Sequence, residues 1–266
     1  MTRWIGGLDG CRGAWAGVLL DLDLDDATRF RALRVARPVD LLDGPEAPIR
    51  VGIDCPIGLE AHVTGGGRSA DRAARAVLGA GRASVFPVPA RAAVYAPTYE
   101  EAKALSRAHS TPPFAPSIQC WNILPAIRTV DAMLRTRPDL VTRLHEVHPE
   151  IVFRCLNGGR PLAAGKKGPM RRAGLAERRA LLAGAGLPEG LIAARPSGTG
   201  ADDHLDALAA LVVARDLAEG RARPLPDPPG SDEEGLPIVI WMPAAPAGRP
   251  LAAGGFPARS EIEAEP

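Results

Sequence analysis

Aromatic residues make up only 4% of this 266-residue chain, which argues against a broad base-stacking platform for nucleic acid. Charge of one sign is also lacking: 32 Lys and Arg stand against 31 Asp and Glu, a formal net charge of +1. A protein that lives by gripping long nucleic acid is usually far more basic, so any such grip has to come from a local patch. Cysteines number four, Cys11, Cys55, Cys120 and Cys155, and none forms a CxxC pair. A structural zinc site therefore has no support, and the thiols read as reduced, in a cytosolic protein. The N-terminus lacks a basic-then-apolar signal. The longest apolar runs, such as LDALAALVVA, fall short of the roughly 20 residues that cross a bilayer. A soluble, cytoplasmic protein with no membrane partner is expected.

What is present suits a globular α/β chain: 46% hydrophobic and 24% charged residues are enough for a real core. No internal repeat is visible. Three strands open the chain, RWIGGLDG, AWAGVLLDLDL and TRFRALRVAR, followed by a short helix and a fourth strand in PIRVGIDCPIGL. Helical patterns with proline-rich loops fill residues 68–138, and VTRLHEVH reads as a fifth strand. PEIVFRCLNGG, GLAERRALLAGAG and TGADDHLDALAALVVARDLAEG read as helices, and GLPIVIWMP as a last strand. This order predicts a mixed sheet with helices on its faces. One domain over 1–243 is expected, with a helical insertion at about 68–138 and a flexible tail at 244–266.

The carboxylates fall at telling places. Asp9 ends the first strand and Asp54 the fourth; beyond the carboxyl ends of parallel neighbours is where open α/β sheets gather ligands. Asp203 and Asp206 share a face of the last long helix, with Asp202 one turn before Asp206. Glu146 and His148 share a face of the fifth strand. Each has a plainer reading. Asp9-Gly10 is a common hairpin pair, Asp202 and Asp203 suit any helix N-terminus, and His148 suits a hydrogen-bonded structural role. Basic residues cluster in two places: Arg68, Arg72 and Arg75 on one helix face, with Arg82 and Arg91 after it, and Lys166, Lys167, Arg171 and Arg172 in a loop. Arg12 lies three residues from Asp9. These residues suit phosphate contacts, or equally a solvated surface. Gln119 and Asn122, beside Trp121 at helical spacing, are candidate substrate contacts or buried polar groups.

GLDGCRGAW, VGIDCPIGL, GRASVFPVPAR, SIQCWNILPAIRTVD, HEVHPEIVF, KKG and ADDHLDALAAL occur in this order. Together they resemble an uncharacterised bacterial and archaeal family of predicted RNase H-like nucleases, over residues 3 to about 243. Ala14 stands where that family has a second glycine, and Cys55 where it has an aliphatic residue. The resemblance implies an RNase H-like mixed sheet flanked by helices, with Mg²⁺ or Mn²⁺ held by Asp9, Asp54 and Asp206, and Asp203 one turn away. Glu146 is carried as a further catalytic acid. Arg12, Arg68, Arg72, Gln119, Asn122, Lys166 and Lys167 would contact substrate, a nucleic acid or nucleotide phosphodiester. Two other activities share such a core: an ATP-dependent phosphotransferase of the actin or sugar-kinase type, and a non-catalytic binding protein. The first needs a second phosphate loop, and DGCRG occurs once.

Overall fold

Two apolar runs, β1 (Trp4–Cys11) and β2 (Ala14–Asp21), pair antiparallel around the turn Arg12-Gly13. Gly13 has φ +64°, the left-handed geometry a tight hairpin demands. The turn thus lies beyond Asp9-Gly10, and Asp9 is still strand, paired with Ala16. β3 (Phe30–Val35) adds antiparallel to β2. The short helix α1 (Pro38–Leu42) then leads to β4 (Arg50–Asp54), which runs parallel to β1. The computed structural model describes residues 3–24 and 29–244; of the tail expected at 244–266, all but Ala244 lies outside them.

Among the described residues the chain forms two compact units, one of 3–24, 29–55, 139–223 and 241–244, the other of 56–138 and 224–240. The second unit begins before the helical insertion expected at 68–138 and takes in a later segment as well. Its elements are β5 (Val63–Thr64), α2 (Ser69–Leu78), α3 (Arg91–Val94), α4 (Tyr99–Ala108), β6 (Ser110–Thr111) and α5 (Ile118–Thr136). Thr98 and Ser117 start α4 and α5 by accepting from the amides of Glu101 and Cys120, the usual work of a hydroxyl at a helix start.

The first unit resumes with β7 (Leu144–Glu146), α6 (Pro149–Leu156), α7 (Arg171–Gly184), α8 (Glu189–Ala193) and α9 (Ala201–Ala218). β7 lies parallel to β4, completing a five-stranded mixed sheet in the order β3-β2-β1-β4-β7. This α/β architecture, a mixed sheet flanked by helices, is consistent with an RNase H-like fold. Last come β8 (Arg223–Ser231) and β9 (Pro237–Met242), a two-stranded pair that falls mostly in the later segment of the second unit, 224–240. Sequence reading misses β8, because Pro224, Pro226, Pro228 and Pro229 cannot donate to a ladder. A two-stranded pair tolerates them, since each strand has one edge that needs no donor.

α9 is the axis of the first unit. Leu205 and every residue from Ala207 to Ala214 are buried, because the helix packs against β1, β2 and β4 on one side and α6 and α7 on the other. A helix apolar all round its circumference is what such a position requires. It rests on the sheet through two glycines. A Cβ on Gly7 would lie 2.0 Å from the carbonyl oxygen of Ala207, and one on Gly52 would lie 2.4 Å from that of Ala210. Backbone therefore meets backbone, and the helix is closer to the sheet than any side chain would permit.

Candidate metal centre

Side chains alternate along a strand, so Asp9 shares the face of Gly7, and Asp54 that of Gly52. Both carboxylates thus point to the side on which α9 lies. β1 and β4 are in register with Asp9 opposite Asp54, at the carboxyl ends of two parallel neighbours. α9 brings Asp206 to the same place: one carboxylate oxygen from each of Asp9, Asp54 and Asp206 lies within 4.8 Å of the others. Asp9 is 7% and Asp206 4% exposed, while Asp54 is half-buried.

Three carboxylates at such spacing repel by roughly 3–4 kcal/mol per ionised pair at an effective dielectric of about 20. Burial first, then Asp54 and Asp206, hold the Asp9 carboxyl well above the usual carboxylate range, against the pull of Lys166. Asp206 is pushed up to about 7 by burial, with Lys166 acting against the shift and Asp54 with it. The Lys166 ammonium donates to Oδ2 of Asp206 and lies 3.7 Å from Glu150. Burial works to lower its pKa, yet Asp206, Asp54 and Glu150 outweigh it and hold the ammonium above its ordinary value. The other oxygen of Asp206, Oδ1, is buried and accepts no hydrogen bond. Hard oxygen donors converging with an unfilled buried lone pair are what Mg²⁺ or Mn²⁺ takes as ligands, so the residues present fit such an ion.

The remaining predicted residues divide. Asp203 spends a carboxylate oxygen on the amide of Gly200, 2.9 Å away, where it starts α9; it stays close enough to act electrostatically on Asp9. Asp202 lies 3.7 Å from Arg171. Glu146 is a correction. It pairs with Ile53 across β4 and β7, so alternation places it with Leu8 and Ile53 on the sheet face opposite Asp9 and Asp54. His148 lies past the strand, at the start of α6. The acid of HEVHPE that approaches the triad is Glu150, on α6. The Nη2 of Arg178 donates to both its carboxylate oxygens at 2.8 Å. Sequence reading passed over Glu150 and Arg178, although HEVHPE offered both acids and spacing did not choose between them.

Lys167, Arg172 and Arg12 are exposed in the first unit. The Arg12 carbonyl accepts from Arg34 at 2.8 Å. Arg68, Arg72, Gln119 and Asn122 belong to the second unit. Arg68 is fully buried there, paired with Asp71 at 2.7 Å and donating to the carbonyls of Ile57 and Gly58. Its charge braces that unit rather than facing solvent. Arg72 donates to the carbonyls of Thr64 and Gly67. Gln119 and Asn122 are exposed on α5. All four cysteines are free thiols. Among the described residues no helix is long and apolar enough to cross a membrane.

A family profile described as Protein of unknown function (DUF429) matches residues 7–231, and the chain belongs to that family. Comparison with curated proteins and with solved structures finds no match.

Proposed function

We propose that this DUF429 chain is an RNase H-like, divalent-metal-dependent hydrolase of phosphodiesters. The observation that carries this reading is the meeting of Asp9, Asp54 and Asp206, two of them buried, with Asp206 Oδ1 left without a hydrogen bond. Ordinary folding gains nothing from such a cluster; a cation makes it favourable. When bound, Mg²⁺ or Mn²⁺ would polarise a phosphate oxygen and lower the pKa of a water. Asp9 and Asp54 would hold the ion from the sheet, and Asp206 from α9. Exposed Lys167, Arg172 and Arg12 would position phosphate groups. With a net charge of +1 the grip is local and modest, which favours short or single-stranded nucleic acid, or a nucleotide phosphodiester, over long duplex.

The test is a screen of DNA, RNA, branched junctions and nucleotide phosphodiesters with Mn²⁺ and Mg²⁺, run beside Asp54→Asn. Cleavage that needs metal and vanishes in the variant is expected, with the variant folded normally. If every activity observed persists in Asp54→Asn, the hydrolase reading fails and a non-catalytic binding protein replaces it.

A further inference from the structure

The charges around the triad can be counted one by one. Glu150 is matched by Arg178, whose Nη2 reaches both its oxygens. Asp202 lies near Arg171. Asp203 gives an oxygen to the amide of Gly200 and is partly exposed, so water screens it. Asp9, Asp54 and Asp206 then carry three formal negative charges between them, and Lys166 pairs with Asp206 and acts electrostatically on the other two. Three minus one leaves two, the charge of one divalent ion. A second such ion, with Lys166 in place, would leave the centre with two excess positive charges.

The geometry at Asp206 agrees: this carboxylate has no second oxygen left for a bridge. A carboxylate that bridges two metal ions offers one oxygen to each. Asp206 has already given Oδ2 to Lys166, and only Oδ1 is without a partner. Nor is Lys166 a chance visitor from a loose loop. Just before it, the amides of Ala163 and Ala164 are held by Glu177 at 3.0 and 3.2 Å, and the Ala164 carbonyl by Arg178 at 3.1 Å. The loop is fastened to α7 immediately ahead of the lysine. The same arginine fixes Glu150, the second carboxylate that Lys166 approaches.

We propose that Lys166 stands in place of a second metal ion, so that the centre holds one divalent ion and one ammonium. This rests on the metal-centre reading above. Lys166 is a positioning residue here: it neutralises Asp206 and limits the number of ions the carboxylates accept.

The test is a count of ions. Mn²⁺ is titrated into the full-length protein, with free ion followed by electron paramagnetic resonance and heat by calorimetry. Sites are counted as those that disappear in Asp9→Asn. One Mn²⁺ per chain is expected for the unmutated protein and for Lys166→Arg, and two for Lys166→Met and Lys166→Gln, all checked for folding by circular dichroism. Two ions in the unmutated chain, or one in both neutral variants, would overturn the assignment and leave the metal centre standing. No Mn²⁺ bound by any of them would remove the metal centre and this assignment together. The count in the unmutated protein does not depend on any Lys166 variant folding.

Discussion

Buried carboxylates occur in both compact units, and the triad of the first differs from three answered acids of the second. In the second unit Asp71, Asp131 and Asp232 are answered. Asp71 accepts from the Arg68 guanidinium, the Arg68 amide and the Val88 amide. Asp232 accepts from the amides of Leu59, Glu234 and Leu236, and from Arg91, which also holds Asp131. In the first unit Asp9, Asp54 and Asp206 face one another across less than 4.8 Å and meet one lysine. Burial does not separate the two groups, because both contain buried acids. Supply of positive charge does: Asp71, Asp131 and Asp232 have arginine donors, whereas the three carboxylates of the triad share one lysine.

The largest effect should come from breaking an answered pair. Arg68→Ala leaves Asp71 buried without its guanidinium and should cost about 3–5 kcal/mol in urea denaturation, whereas replacing both partners with apolar residues should cost much less. A loss within experimental error for Arg68→Ala would mean that the two regions do not differ as described. Next comes Gly7→Ala, whose added methyl drives against the backbone of α9. A loss of about 1–3 kcal/mol is expected. Because α9 carries Asp206, the melting temperature should also stop responding to Mn²⁺. Gly10→Ala is the control, since a Cβ there meets nothing within 4 Å; it should leave both readouts unchanged.

The third prediction has the opposite sign. In chelator at neutral pH, Asp9→Asn should raise stability by on the order of 1 kcal/mol, as functional sites often trade stability for activity, while Asp71→Asn should lower it. Unmutated protein should gain about 2.7 kcal/mol at 100 times the Mn²⁺ dissociation constant, and Asp9→Asn should gain little. If Asp9→Asn and Asp71→Asn shift the melt in the same direction, supply of positive charge is not the distinguishing property. The last prediction concerns a slope. His145, paired in register with Gly52, is lowered from 6.5 to about 4 by burial, helped by Arg50. Below pH 6.5 the unfolded chain takes up a proton that the folded chain refuses. Stability should therefore fall between pH 6.5 and about 4, by at most about 1.4 kcal/mol per pH unit. His145→Gln should flatten that part of the curve; an unaltered slope would assign the acid sensitivity elsewhere.

The sheet was legible because it follows from short-range periodicity, and the triad because the family resemblance singled out three residues that periodicity had placed. Strand ends and a helical repeat place Asp9, Asp54 and Asp206, and parallel neighbours bring the first two together. Facing was harder. Glu146 and Glu150 both belong to HEVHPE, and only the register of β7 on β4 shows that Glu146 turns to the other side. Arg68 looked like surface because an arginine on a helix face usually is; its burial depends on Asp71 and two loop carbonyls, which no spacing rule reveals. Lys166 lies in a loop without periodicity, so its partner was invisible until the chain closed. β8 was hidden by its own prolines.

The contact between Gly7 and Ala207, and between Gly52 and Ala210, has one more consequence. Main chain has no rotamers. A core of interlocking side chains can settle into neighbouring arrangements, each shifting what it carries by a fraction of an ångström; two backbones in contact have no such choice. The spacing between the sheet-borne aspartates and the helix-borne one is therefore ruled off by peptide geometry, as on a machinist's gauge. Substitutions among Leu205, Leu208 and Leu211 should soften the unit long before they misalign the three oxygens. The same platform would hold other side chains at positions 9, 54 and 206 in the same spacing, which makes it a frame on which a different set of donor atoms can be built.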